Sequence, residues 1–423
     1  MTLDLGLKLK DDFPILSHKV RGVSGLVYLD SAATSQKPKV VIAAESNFYS
    51  STNATVHRSG HELGELASAA YEAARENIAR FVGIKPSNLI FTKNATEGIN
   101  LVAYAVLNAT LLAKSGDKRY NRFAIGAEDS ILITEMEHHA NIVPWQHLAQ
   151  VTGARLEYLK VDESGRLDID ESKFSKSTKI VAITHQSNVL GSVTDVAKIV
   201  RFANKVGAMV VLDACQSVPH FNVDFKLLGV SAAAWSGHKM LGPTGVGCLY
   251  LNDELLGELP PFLLGGNMIE NVTYESSTFR SDNAKFEAGT MNIAQVVGLS
   301  AAVDYLKNVG MNVIHEHVKE LTGAALKAMI SMPGIRILGP TDLTDREGLV
   351  SFEVDGVHPH DVSQFLDSKG VAVRAGHHCA WPLHRKLGAV ASSRASFYLY
   401  NTKADVDVFL AALDQIRDYF KVA

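Results

Sequence analysis

Met209-Val210-Val211-Leu212-Asp213-Ala214-Cys215-Gln216-Ser217 is a short apolar run that stops at a carboxylate. Four apolar residues are too few for a helix and read as a buried strand. Runs of the same kind recur at Leu89-Ile90-Phe91, Ile131-Leu132-Ile133, Ile180-Val181-Ala182-Ile183 and Gly247-Cys248-Leu249-Tyr250. Helical patterns lie between many of them, as at His61 to Val82 and Thr96 to Leu112. This alternation predicts an α/β domain on a mainly parallel sheet. Ligands of such sheets bind at the carboxyl ends of strands, where Asp213 stands.

The next segment outward is Ala232-Ala233-Ala234-Trp235-Ser236-Gly237-His238-Lys239-Met240-Leu241-Gly242-Pro243-Thr244-Gly245-Val246-Gly247. A lone lysine sits there between an apolar run and a glycine-rich turn. Lysines belong on solvated surfaces. Crowding by small apolar neighbours strips solvent and favours the neutral amine, which is the nucleophile that forms Schiff bases. Lys239 is therefore a candidate for covalent attachment of a carbonyl cofactor. The glycines at 242, 245 and 247 lack the strand-then-helix setting of a dinucleotide fingerprint.

Pyridoxal phosphate needs a lysine, an acid for its ring nitrogen, a stacking partner and donors for its phosphate. Asp213 fits the acid, unless it merely caps a following helix. Asn94-Ala95-Thr96-Glu97-Gly98 follows a strand and opens a helix, whose free amides and dipole suit a phosphate. A plain N-cap with acidic support is the other reading. Ser236 and His238 flank Lys239 and can donate to the same phosphate. Glu137-His138-His139-Ala140-Asn141 follows a third strand end, where a histidine can stack on a ring. Neighbouring histidines diverge on most backbones, so no metal is expected at this pair or at His377-His378. A surface pair is the other reading of each.

The three cysteines form no disulfide framework and have no zinc spacing. Cys215 and Cys248 read as small buried hydrophobes. Cys379 lies in Arg374-Ala375-Gly376-His377-His378-Cys379-Ala380-Trp381-Pro382, a polar turn whose basic residues favour a thiolate.

At 423 residues the chain outgrows one small core, so two domains are expected. With 47% apolar and 20% charged residues it has the composition of a soluble globular protein. A net charge of −4 without a basic block argues against nucleic acid. No apolar run reaches the length of a membrane span, and Met1 to Lys10 has no signal-peptide core. A cytoplasmic protein is expected. Beyond about residue 295 the pattern shifts to helical stretches at Ile293 to Asn308 and Val313 to Ser331, short strands, and a last helix near Lys403 to Tyr419. That suggests a smaller α+β domain, with the N-terminal residues packed against it. Gly265 to Gly289, rich in Gly, Ser and Asn, reads as a long functional loop.

Taken in order, several segments resemble one family. They are Asp213-Ala214-Cys215-Gln216, Ser236-Gly237-His238-Lys239 and Arg374-Ala375-Gly376-His377-His378-Cys379. Leu29-Asp30-Ser31-Ala32-Ala33, Glu137-His138-His139-Ala140-Asn141-Ile142-Val143-Pro144-Trp145, Ser187-Asn188-Val189-Leu190-Gly191 and Phe286-Glu287-Ala288-Gly289-Thr290 add to them. From about residue 26 onward the chain resembles the SufS-type (group II) cysteine desulfurases, class V aminotransferases of fold-type I. The resemblance implies a large domain over 26–295, with a mainly parallel seven-stranded sheet flanked by helices, that binds pyridoxal phosphate. It implies a small α+β domain from 1–25 and 296–423 that carries the cysteine loop.

By the same resemblance Lys239 would hold the cofactor and shuttle the substrate proton. Asp213 would pair with the pyridinium, His138 would stack on the ring, and Gln216 would bond the phenolic oxygen. The Ala95 amide, Thr96, Ser236 and His238 would hold the phosphate, with Thr290 reaching in from the other subunit of a homodimer. Arg394 and Asn188 would bind the carboxylate of L-cysteine, with Arg374 beside them. Cys379 would attack the substrate sulfur, giving alanine and a persulfide destined for iron–sulfur cluster assembly. No metal ligand is implied.

Ala95 stands where a hydroxyl is common in the family, and Met291 where proline is common. Only four residues separate Arg374 from Cys379. Such a short loop would recess the thiol and make it depend on an acceptor of the SufE or SufU kind. His358-Pro359-His360 reads as an exposed helix start, or as a face toward a zinc on a SufU-like partner. The competing functions are a selenocysteine lyase or cysteine sulfinate desulfinase, which need no nucleophilic thiol, and a non-catalytic scaffold. Asp213, His238, Lys239 and Arg394 together argue against the scaffold.

Overall fold

The computed structural model describes residues 4–22, 24–57 and 59–422. Of the N-terminal segment 1–25, residues 1–3 and 23 therefore lie outside the described residues. The large sheet has seven strands: Leu89–Thr92, Ser130–Thr134, Arg155–Leu159, Thr178–Thr184, Met209–Asp213, Ala232–Ser236 and Gly247–Leu251. Across the sheet they run in the order Leu89–Thr92, Gly247–Leu251, Ala232–Ser236, Met209–Asp213, Thr178–Thr184, Ser130–Thr134, Arg155–Leu159. Gly247–Leu251 is antiparallel to both neighbours. The other pairings are parallel. The expected α/β, mainly parallel architecture is what forms.

Side chains leave the strands alternately, so each strand feeds two cores. Leu132, Val210 and Trp235 enter one, while Ile131, Ile133, Val211 and Ala234 enter the other. Burial on both faces explains the unbroken apolar runs. Arg155–Leu159 escaped sequence reading because it is an edge strand with two exposed residues. The alanines at 232–234 are poor strand formers, but their size serves packing. Helix Ala95–Lys114 lies against them so closely that a Cβ on Gly98 would stand 3.3 Å from the Ala234 Cβ.

By length and composition that helix could cross a membrane, which amends the expectation that no segment could. Its Ile99, Leu101, Val102 and Val106 are instead buried in the core. Each such side chain contributes roughly 1.5–3 kcal/mol when removed from water.

A second, antiparallel sheet orders Ile335–Leu338, Leu349–Val354, Ser392–Ser396 and Arg374–Gly376. Helices Met311–Ile330 and Pro359–Ser368 pack on it, and Lys403–Asp414 packs on both of them. Lys403–Asp414 starts at a Thr402/Asp405 capping box. It ends at Gln415, before Ile416–Phe420, where one longer helix was expected. Helix Ile293–Val309 lies on Lys39–Ser51 and Glu62–Phe81, beside the large sheet.

The N-terminal segment touches both parts. Gly6 sits where a Cβ would stand 2.1 Å from the Asn401 carbonyl oxygen. Phe13 packs on Tyr400 and Tyr305 at ring distances of 4.8 and 5.9 Å. The expected loop between Gly265 and Gly289 contains an exposed hairpin, Ile269–Val272 with Ser277–Phe279. Thr273 Oγ1 accepts from the Glu275 and Ser276 amides and so closes the turn.

His185 and His220 are buried near the junction of the two sheets, and burial pushes each ring down to about 4. An unfolded histidine titrates near 6.5, so the unfolded chain gains protons first as pH falls. Stability is therefore lost between about pH 6.5 and 4, by no more than about 1.4 kcal/mol per pH unit per ring. Melting temperature is expected to fall as pH drops from about 7 to 4.5. The slope, whatever the absolute stability, is expected to be shallower in His185→Gln.

Candidate active site

The carboxyl ends of four parallel strands, with the loops that follow them, meet around one cavity of about 210 Å³. After Thr134 comes His138, and after Thr184 come Gln186 and Asn188. Asp213 closes its own strand and leads to Cys215 and Gln216, and Ser236 leads to His238 and Lys239. Ala95 and Thr96 follow the edge strand Leu89–Thr92, and Arg374, His378, Cys379 and Arg394 enter from the second sheet. Every predicted site residue except Thr290 lines this cavity. Thr290 is exposed and borders a separate recess with Val56 and His57. Among the described residues no three His, Cys, Asp or Glu side chains gather as metal ligands.

The phosphate end is built by a helix start. Asn94 Oδ1 accepts from the Glu97 amide at 3.0 Å, so the N-cap reading holds. The Ala95 amide is nonetheless turned inward and donates to Ser236 Oγ at 2.9 Å. Gly247 permits this approach, since a Cβ there would stand 2.5 Å from the Asn94 Cα.

Asp213 is 5% exposed and accepts from the Cys215 amide through Oδ1 at 3.0 Å. A turn follows, not a helix, so the helix-cap reading fails. Cys215 is buried as expected but also lines the cavity, and burial pushes its thiol up to about 12. Gln216 Nε2 donates to the Ala32 carbonyl at 2.9 Å.

His138 Nδ1 accepts from the Ala140 amide at 3.0 Å. Burial first, then the Lys239 charge, pushes its ring down to about 4, so it is neutral near pH 7. The turn that carries it is pinned from below. Glu137 accepts from Thr134 Oγ1, Asn141 Nδ2 and the Thr184 amide at 2.5, 2.6 and 2.8 Å. Asn141 Oδ1 in turn accepts from Trp145 Nε1 at 2.8 Å. Burial pushes the Glu137 carboxyl up to about 8. The spacing of Glu137, Asn141 and Trp145 thus serves a hydrogen-bonded spine.

Lys239 is half-buried, and the peptide before it is held by a clamp that sequence reading missed. The His238 carbonyl accepts from the Ser35 amide, Thr34 Oγ1, Ser35 Oγ and Lys37 Nζ at 3.0, 3.1, 3.1 and 2.9 Å. Desolvation lowers the half-buried Lys37 ammonium to about 8. Burial, with the charges of Lys239 and Lys37, pushes the His238 ring down to about 4.

On the opposite wall Arg394 is 2% exposed. It donates to the Asn188 carbonyl at 2.9 Å and to Asp30 Oδ1 at 3.3 Å. Burial works against its charge and Asp30 supports it. Asn188 Nδ2 donates one hydrogen to the His378 carbonyl at 2.7 Å, and the residue also lines the cavity. The Cys379 carbonyl accepts from the His139 amide at 2.7 Å, and His139 Nε2 accepts from the Trp381 amide at 3.0 Å. Neither histidine pair is a surface pair, since His139 grips the cysteine turn and His378 is 4% exposed. His378 and Cys379 both adopt positive φ, +49° and +56°, in the left-handed region that side chains rarely occupy. His358 caps helix Pro359–Ser368, accepting from the His360 amide. That helix packs on Arg374–Gly376, the strand leading to the cysteine.

The cavity fits pyridoxal phosphate. It offers an amine, a buried carboxylate, a neutral ring and phosphate donors at the start of a 20-residue helix. Ala95 contributes an amide and no hydroxyl.

The family described as Aminotransferase class-V matches residues 27–409. A Mycobacterium leprae protein named "Probable cysteine desulfurase 2" is 49% identical, over 99% of this chain and 98% of its own. A Haloferax volcanii cysteine desulfurase is 44% identical, over 97% of each chain. Among solved structures, the apo cysteine desulfurase of Thermococcus onnurineus superposes with a TM-score of 0.89 at 36% identity, covering 98% of both chains. The Escherichia coli cysteine desulfurase CsdA, in an S-sulfonic acid form, gives 0.86 at 36% identity with the same coverage. This chain belongs to the class-V aminotransferase family, on the branch that these cysteine desulfurases occupy.

Proposed function

We propose that this protein is a pyridoxal-phosphate-dependent cysteine desulfurase. It converts L-cysteine to L-alanine and keeps the sulfur as a persulfide on Cys379. One observation carries the reading: Lys239 from the large sheet and Cys379 from the second sheet face the same cavity as the buried guanidinium of Arg394. When bound, the cofactor supplies an electron sink for the substrate α-carbon.

The protein supplies the rest. Thr96, Ser236, His238 and the helix amides would hold the phosphate, and Asp213 would keep the proton on the ring nitrogen. His138, kept neutral, would pack on the ring without adding charge. Arg394 binds the substrate carboxylate by exchanging one of its present partners. Lys239 Nζ would hold the cofactor and would carry the α-proton of the substrate. Cys379 Sγ attacks the substrate sulfur. The new S–S bond forms as the Cβ–S bond breaks, the electron pair left on Cβ takes a proton, and the α-carbon regains its proton from Lys239 Nζ to give alanine.

A SufS-type role in iron–sulfur cluster assembly is supported by the short cysteine turn, tied by Asn188 and His139 to the large sheet. A half-buried, tethered thiol cannot swing out to a distant scaffold, so a SufE-like or SufU-like acceptor comes to it. A homodimer is supported by Thr290, which lies outside its own cavity, and by exposed Leu264 and Tyr274. Three free cysteines suit the reducing cytoplasm. The test is alanine release from L-cysteine with and without purified SufE-like and SufU-like proteins. A rise of about tenfold or more with one of them is expected, with the tethered thiol as the bottleneck. Equal rates with and without every acceptor would refute the dependence.

A further inference from the structure

Cys379 must lose its thiol proton before its sulfur can attack. The hydrogen bonds around its turn single out a group to take it. His384 Nδ1 lies 3.0 Å from the Ala380 carbonyl oxygen. A carbonyl only accepts, so Nδ1 carries hydrogen and, in the neutral ring, Nε2 is the bare acceptor. His384 Nε2 lies 2.9 Å from Ser392 Oγ, which donates to it. Ser392 Oγ has then spent its hydrogen, and it accepts from His378 Nε2 at 3.0 Å. His378 therefore carries its proton on Nε2 and leaves Nδ1 bare. That Nδ1 is buried without a partner, in a side chain 4% exposed on the wall of the cavity that holds Cys379. A buried acceptor with no donor is costly and calls for a function.

We propose that His378 Nδ1 takes the thiol proton of Cys379, and that Ser392 and His384 carry the charge on. The inference rests on Cys379 being the sulfur acceptor. The Cys379 S–H bond breaks as His378 Nδ1–H forms. His378 Nε2–H passes to Ser392 Oγ, whose own hydrogen passes to His384 Nε2. The net change is a thiolate at Cys379 and an imidazolium at His384, with no redox partner needed.

The charges around the site explain why a relay is useful. Arg374 and Arg394 are register partners on the two paired strands beside the turn. Burial, Arg394, His384 and Arg374 all hold the His378 ring well below the usual histidine range. A proton stays poorly on His378 and moves on to His384, whose ring burial also holds below the usual histidine range, with the Ala380 carbonyl supporting its charge and His377 opposing it. The thiolate left behind supports the Arg394 charge. Lys239 and His138 line the same cavity, the latter neutral near pH 7.

The test is the pH profile of Cys379 alkylation by iodoacetamide in the resting holoenzyme, read by peptide mass. Ser392→Ala is expected to raise the profile's midpoint by about one pH unit, slowing alkylation about tenfold near neutrality. His384→Asn breaks the other end of the relay and is expected to shift it equally. Ser392→Thr keeps the hydroxyl and is expected to restore the parent profile. An unshifted midpoint in Ser392→Ala or His384→Asn overturns the relay, as does a Ser392→Thr profile displaced as far as that of Ser392→Ala. No substrate enters this assay, so its failure leaves the persulfide role of Cys379 standing. That role is scored separately by sulfur gained from L-cysteine.

Discussion

Cys379→Ala is expected to slow alanine release from L-cysteine by roughly a thousandfold or more, and to leave release from selenocysteine within about a fewfold of the parent. The reason is the C–S bond. A thiol is a poor leaving group without a nucleophile to take its sulfur, whereas selenium leaves more readily. No other thiol can stand in. Cys248 is buried in the core, and Cys215, though it lines the cavity, is kept protonated with its pKa near 12. Alanine assays with both substrates check the result. Retained turnover of L-cysteine would favour a lyase that needs no thiol. Loss of both activities would mean that the turn around Cys379 positions the substrate as well as attacking it.

Lys239→Ala is expected to abolish covalent cofactor attachment and to lower turnover by about four orders of magnitude or more. Among the described residues no second amine lines the cavity to replace it. Lys37 is close by, but its ammonium is committed to the His238 and Ser35 carbonyls. Visible absorbance that survives denaturation after borohydride reduction measures attachment, and alanine release measures turnover. A colourless parent protein, or a variant that keeps reducible attachment, would point to a non-catalytic scaffold or to a different lysine.

The strands were legible because burial on both faces leaves apolar runs such as Ile180 to Ile183. The site was legible because strand ends carry its chemistry in short segments: Asp213, His138 and Lys239 each stand within a few residues of one. What stayed hidden depends on long-range contacts. The clamp of Thr34, Ser35 and Lys37 on the His238 carbonyl joins residues about two hundred positions apart. Nothing in Thr34-Ser35-Gln36-Lys37 signals it. The same holds for Asn188 on the His378 carbonyl, and for the hydroxyl of Ser392 between two histidines. The hairpin at 269–279 was read as loop because its strands are short and exposed, with no apolar face to show a period of two. Glu137 was quoted only as part of a motif. Its role as an anchor appears once Thr134 and Thr184 are seen on adjacent strands.

The central claim is that sulfur passes from the substrate to Cys379. The most direct measurement is the mass of the Cys379 peptide after brief exposure of the holoenzyme to L-cysteine, without reductant and with thiols then blocked. The account predicts one added sulfur atom on Cys379, in an amount that matches the alanine released in the first turnover. Alanine release with sulfide in solution and no sulfur on Cys379 would contradict it.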